Sequence, residues 1–207
     1  MFPSRRKYLV SLAAMLAASS ASMCALAGLD HKVTYDNSGI WNRNVQKGVE
    51  YTVLGTEIAG AAWEGGETEL GKTFWQAIDA SAFSAVTAEL MKRGFSRVRP
   101  GDTDSPNEWF KGDHNRSFPS GEVTFISSAV TPFVLEYGKE YPAVYALDLL
   151  PLYDAIARVK VQAHWQTDVI AGFALGAGFA YLAHERDSPI ILSVMPHGVW
   201  VGIKRSF

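Results

Sequence analysis

Residues 69–93 read ELGKTFWQAIDASAFSAVTAELMKR, and the spacing within them sets the fold class. Phe74, Ile78, Phe83, Val86, Leu90 and Met91 recur at steps of roughly three and four residues, the period that places side chains on one face of an α-helix. The expectation is a long helix with that face buried, interrupted at Gly94. Upstream, the pattern from Val49 to Trp63 fits a second helix, ended by Glu64-Gly65-Gly66. Downstream, helices are expected at about 120–137, 142–157 and 165–185. The last stretch, PIILSVMPHGVWVGIKRSF, sets two apolar runs around Pro196-His197-Gly198 and reads as a hairpin or extended arm. The fold expected is therefore all-α, a single-domain bundle of about six helices with a short extended or hairpin tail.

Four segments follow. Residues 1–27 carry Arg5, Arg6 and Lys7, then an alanine-rich apolar core, then Ala25-Leu26-Ala27 before Gly28. That is the pattern of a secretory signal peptide. Residues 28–48 are a polar, irregular lead-in, 49–187 the helical domain and 188–207 the tail. Export is expected, to a periplasmic location, with peripheral membrane contact as a further option.

Composition removes several classes. Loss of residues 1–27 takes away three of the 19 basic residues and none of the 21 acidic ones, moving the formal charge from −2 to about −5. Such a balance argues against nucleic acid as a partner. Cys24 is the sole cysteine and leaves with the signal, so no disulfide framework is expected. The longest uncharged apolar run of the domain, Val169 to Ala183, has 15 residues, short of the ~20 that a spanning helix needs. The five histidines are scattered, without metal-ligand spacing; no metal and no cofactor are expected. Nothing in the sequence sets an oligomeric state.

Three clusters suit anion handling. Lys92 and Arg99, followed by Pro100, stand at a helix end. Ser117-Phe118-Pro119-Ser120-Gly121 leads into a helix N-terminus, where free N–H groups and the macrodipole favour an anion. Arg158 precedes His164 and Asp168, which are four residues apart and would share a helical face, so that Asp168 could hydrogen-bond one imidazole nitrogen and leave the other free as a nucleophile.

Together, Lys92-x6-Arg99-Pro100, Pro119-Ser120-Gly121 and Arg158-x5-His164-x3-Asp168 resemble the type 2 phosphatidic acid phosphatase family, which includes bacterial class A acid phosphatases and is related to vanadium haloperoxidases. The likeness covers about 82–184. Ala157 replaces a serine of the family pattern, and Glu122 replaces the histidine that follows Pro-Ser-Gly. The resemblance implies that His164 attacks phosphorus and becomes a phosphohistidine, oriented by Asp168. It implies too that Lys92, Arg99 and Arg158, with Ser120 and the Gly121 N–H, hold the phosphoryl oxygens. Positioning and charge neutralisation are what phosphoryl transfer asks of a protein.

Glu122 stands where the family histidine would protonate the leaving oxygen. It is read either as a carboxylic acid whose pKa is raised by bound phosphate, or as no acid at all in a site suited to diphosphates, whose leaving group is itself a phosphate. His114, in the preceding loop, is another candidate donor. The expected function is a metal-independent exported phosphatase acting on phosphate monoesters or diphosphates of lipids, prenyl chains or small molecules. The alternatives are a phosphate-binding protein with a silenced site and a vanadate-dependent haloperoxidase.

Overall fold

The computed structural model describes residues 28–186 and 188–194; the expected signal segment and the tail beyond Val194 lie outside them. Among the described residues there are six α-helices and no strand: α1 Arg43–Glu64, α2 Glu69–Phe95, α3 Gly121–Tyr137, α4 Leu149–Lys160, α5 Gln166–His184 and α6 Ile190–Val194, with 3₁₀ segments at Gly39–Trp41 and Pro142–Asp148.

The helix ends follow local chemistry. The Asn42 side chain accepts the Asn44 N–H and starts α1, six residues before the sequence pattern begins; Gly65, at φ 69°, stops it. Thr68 caps α2 by accepting from Gly71. That helix runs through Gly94 and ends only at Ser96, whose left-handed φ of 41° turns its N–H back to the Lys92 carbonyl. The expected 142–157 helix begins as a 3₁₀ segment behind Pro142 and becomes α-helical at Leu149. The start of the tail is helical, in contrast to the extended arm expected. Asp79 on α2, itself buried, accepts the N–H groups of Ile190 and Ile191 and so fixes α6 to the bundle.

The helices pack with α3 at the centre, against α5 and α2, while α2 also packs on α5 and α1. The expected burial of α2 is corrected here. Phe83, Val86 and Leu90 are 42%, 62% and 66% exposed. The inner face is instead made of Gly71, Thr73, Gln76, Ala77, Asp79, Ala80, Ser81, Ser84 and Ala88. The reason is spacing: interaxial distance depends on the side chains at the contact, and small residues bring the axes close. On α5, a Cβ added at Gly176 would sit 2.0 Å from Ser127 Oγ and 2.2 Å from the Thr124 carbonyl oxygen of α3. A period of 3.6 identifies a helix; it does not say which face points inward.

Of the 28–48 lead-in, residues 43–48 belong to α1 and Gly39–Trp41 form a 3₁₀ turn; residues 28–38 carry no helix or strand and are pinned. Gln162 Nε2 donates to the Val33 carbonyl at 2.7 Å, Asp36 N–H to that of Lys160 at 2.9 Å, and Gln166 Nε2 to that of His31 at 2.9 Å. The 96–119 loop is held by its own aromatics, Phe118 packing edge-on against both Phe95 and Trp109, whereas Phe110 is 70% exposed.

Candidate active site

Four helix ends, with the loop that carries Arg99, deliver the expected residues to one place. Lys92 comes from the last turn of α2, Ser120 and Gly121 from the start of α3, Arg158 from the end of α4, and His164 and Asp168 from the entry to α5. His164 is buried, and its Nδ1 lies 2.7 Å from the Ser117 carbonyl oxygen. A carbonyl can only accept, so Nδ1 carries the proton and Nε2 keeps its lone pair. Burial lowers the His164 pKa to about 4, against the pull of Asp168 and with help from the Arg158 charge. The imidazole is thus neutral at neutral pH.

Asp168 does not make the hydrogen bond to His164 that the four-residue spacing suggested. Its Oδ2 is 3.8 Å from Nδ1, outside hydrogen-bond reach. The cause is that α5 begins at Gln166, so His164 is not on the helix. Asp168 instead turns back to accept the Trp165 N–H at 2.9 Å and the Ser117 hydroxyl. Its other oxygen takes a 2.6 Å bond from Arg97. Burial alone would raise the Asp168 pKa; contact with His164, the Arg97 charge and the Ser117 bond outweigh it and hold the group below the usual carboxylate range.

Arg97 was legible only as one of the residues between Lys92 and Arg99. It is 1% exposed, lies between the rings of Trp109 and Trp165, and bonds Asp168, Thr167, the Pro106 carbonyl and Asp30. A buried charge needs such saturation. Asp30, from the lead-in, is thereby linked through Arg97 to Asp168. The Trp165 side chain is buried, and its Nε1 donates to the Val98 carbonyl oxygen.

The anion cradle has unfilled hydrogen-bonding capacity. Ser120 Oγ and Arg158 Nε are buried and have no hydrogen-bond partner among the described residues, which suits a bound oxyanion. Gly121 leaves room for Lys92, whose Nζ lies 2.9 Å from where a Cβ would be. Burial, then the Arg99 charge, depress the Lys92 pKa; burial also lowers that of Arg158. Arg99 reaches toward the Arg116 carbonyl at 3.5 Å.

Glu122 lies on the His164 side of the cradle and departs from the raised pKa expected of an acid. Burial raises it, but the hydrogen bonds of Arg43, the charge of Arg158, and the remaining charges of Arg43 and His164 bring the net shift below the ordinary value. Arg43 is a residue that sequence reasoning missed, since it falls in the stretch read as irregular. It grips Glu122 with both terminal nitrogens, Nη2 at 2.6 Å from Oε1. Gln46, fully buried, accepts from Arg43 at 3.2 Å and from Arg158 at 3.1 Å. Asp154, one helical turn before Arg158, is buried with neither oxygen bonded; burial and the Glu122 charge lift its pKa to about 7. His114 lies in the loop between α2 and α3. No cluster of three or more His, Cys, Asp or Glu side chains among the described residues is placed to hold a metal ion.

The model of one family, the PAP2 superfamily, matches residues 74–188, more than half of the chain. This chain belongs to the PAP2 superfamily. The PAP2 segment takes in most of α2 and all of α3, α4 and α5, with Lys92, Ser120, Arg158, His164 and Asp168, but not Arg43 or Gln46 on α1. Two curated relatives are both named lipid A 1-phosphatase. The one from Rhizobium johnstonii is 34% identical over 105 residues, 48% of this chain and 42% of the relative. The one from Rhizobium etli is 33% identical over 133 residues, 60% of this chain and 55% of the relative. The chain thus spans about half the length of the curated relatives it matches. No solved structure matches it significantly. No helix among the described residues is long and apolar enough to cross a membrane.

Proposed function

We propose that this chain is an exported PAP2 phosphohydrolase that removes phosphate from a lipid or prenyl phosphate by way of a phosphohistidine at His164. The observation that carries the reading is the His164 tautomer: a buried, neutral imidazole with Nδ1–H bound to a carbonyl and Nε2 free beside a cationic cradle with unfilled donors. The names of the two relatives support a lipid phosphate as the substrate class.

In the first half-reaction the Nε2 lone pair forms a bond to phosphorus as the bond to the leaving oxygen breaks, and the electron pair departs with that oxygen. Lys92, Arg99 and Arg158 neutralise the equatorial oxygens, assisted by Ser120 Oγ and the Gly121 N–H. Asp168, locked by Arg97 and Ser117, stabilises the positive imidazole that forms. In the second half-reaction water attacks phosphorus, the P–N bond breaks, and ionised Glu122 takes the water proton.

The exposed apolar side chains favour meeting the substrate at a membrane surface. Val86 and Leu90 on α2, Leu149 and Leu152 on α4, and Trp63 at the end of α1 face outward, in a pattern that suits lipid contact.

The test is phosphate release by the purified protein, in the presence of a chelator, from phosphatidic acid and from a prenyl diphosphate. His164→Ala is expected to lose at least about 1,000-fold in kcat, and acid-labile phosphate should be trapped on His164 of the wild type. Binding of vanadate without release from either substrate would replace the enzyme with a phosphate-binding protein.

A further inference from the structure

Asp30 stands outside the family segment, which begins at residue 74, yet its carboxylate is buried against Arg97, the two side chains being 3% and 1% exposed. Its Oδ2 accepts from Arg97 Nη2 at 2.6 Å and from the Thr167 hydroxyl at 2.7 Å, and its Oδ1 accepts the Thr167 N–H at 2.8 Å. Thr167 Oγ1 in turn accepts from Arg97 Nη1 at 2.8 Å. A guanidinium has five N–H donors. Arg97 has all five engaged, by Asp30, Thr167, Asp168 and, from Nε and Nη2, the Pro106 carbonyl. Its plane is therefore fixed, and with it the Asp168 oxygen that it holds at 2.6 Å.

The connection continues to the imidazole. The second Asp168 oxygen accepts the Ser117 hydroxyl, and the Ser117 N–H donates to the Arg97 carbonyl at 3.0 Å. The Ser117 carbonyl is the group that accepts His164 Nδ1–H at 2.7 Å. One guanidinium between two carboxylates also leaves a net negative charge in this buried group, which favours the positive imidazole formed when Nε2 bonds phosphorus.

We propose that Asp30 is a positioning residue for the nucleophile: it locks Arg97 and Thr167, and through them Asp168, Ser117 and the His164 imidazole. The inference deepens the phosphohistidine reading above and rests on it. Among the described residues Asp30 bonds Arg97 and Thr167 and no member of the cradle, so it acts on the chemical step rather than on phosphate binding. The lead-in is attached independently, through backbone groups of His31, Val33 and Asp36 bonded to Gln166, Gln162 and Lys160. Substitution of Asp30 therefore leaves that attachment in place.

The experiment measures phosphate release by the full chain as wild type, Asp30→Asn and Lys32→Ala, the last a control that breaks the exposed Lys32–Asp104 pair of the same lead-in. Asp30→Asn should lower kcat about 30-fold with KM within about twofold. Its calorimetric affinity for inorganic phosphate should be that of wild type, and Lys32→Ala should keep the wild-type kcat. Because Asp30 acts through Arg97, adding Asp30→Asn to Arg97→Gln should lower kcat no further than Arg97→Gln alone. A folded Asp30→Asn protein with wild-type kcat, an equal loss of kcat and phosphate affinity, or losses that multiply in the double variant each overturn the assignment. If Asp30→Asn does not fold, Thr167→Val removes the hydroxyl from the ring and keeps both carboxylates. Its kcat should then be about fivefold lower, and an unchanged kcat overturns the assignment.

Proton NMR of His164 Nδ1–H, assigned by its loss in His164→Ala, gives a readout independent of turnover. Exchange of this proton with water should be at least about tenfold faster in Asp30→Asn than in wild type. Faster exchange in a chain that releases no phosphate would keep Asp30 as the support of His164 and remove the enzyme reading. Equal exchange, in a protein whose turnover depends on His164, would remove Asp30 and keep the enzyme.

Discussion

Asp154 shows at the residue scale what the cradle costs the fold. Its carboxyl group is buried, unbonded and pushed up to about 7, against about 3.9 in an unfolded chain. The native state therefore holds a proton that the unfolded state releases, and the stability from this group is lost as pH rises from about 4 through 7. Glu57, buried against Ser81 and also raised to about 7 by burial, acts with the same sign. His164 has the opposite sign, its pKa being depressed, but it is common to any pair of variants compared. Asp154→Asn should thus raise the thermal midpoint at pH 8 by about 3 °C or more, with little change at pH 4, as read by scanning calorimetry. An unchanged difference between the two pH values would show that Asp154 is ionised at a normal pKa. The Lys92, Arg99, Ser120, Gly121, Arg158, His164 and Asp168 set was legible because short spacings tie each member to a motif. Arg43, Arg97 and Asp30 were not, because their partners lie 79, 71 and 67 residues away. Asp154 was within reach, four residues before Arg158 on the same helix.

At the scale of elements, the contact of α3 with α5 sets the cradle. Gly172 lies where a Cβ would be 2.6 Å from the Ser120 carbonyl oxygen, and Gly176 where it would strike Ser127 and Thr124. Gly176→Ala should cost about 1–3 kcal/mol of stability through overpacking. Gly172→Ala pushes on Ser120 itself, so its activity should fall further than its stability. Gly55, on exposed α1 with nothing within 4 Å, is the control: Ala there should stabilise by about 0.5–1 kcal/mol. Chemical denaturation and phosphate release, measured on all three, check the ordering; a Gly176→Ala protein as stable as wild type would refute close packing of α3 on α5. The helices themselves were readable from period and caps to within a few residues at α3 and α5. The start of α1 was not, since Arg43, Asn44, Gln46 and Lys47 break the apolar pattern and the cap depends on one side-chain bond. Nor was α6, which depends on Asp79 more than 100 residues away.

At the scale of the whole molecule, α2 turns small and polar residues inward, and many large apolar side chains of the described residues lie outside. Burial of apolar area is worth about 25 cal/mol per Å², so these outer faces gain by entering a lipid surface. The protein should float with phospholipid vesicles in a density gradient, and Val86→Ser with Leu90→Ser should reduce the bound fraction severalfold without loss of helicity. Protein that stays in the aqueous fraction at every lipid concentration would argue for substrate taken from solution.

The small-residue interior has a further consequence. Close helix contact depends on Ala, Gly, Ser and Thr positions that face inward, while many bulky apolar chains lie at the surface. The bundle is therefore two layers that can be edited separately. Its coat can be rewritten toward water or toward lipid, residue by residue, while the engine inside keeps its dimensions.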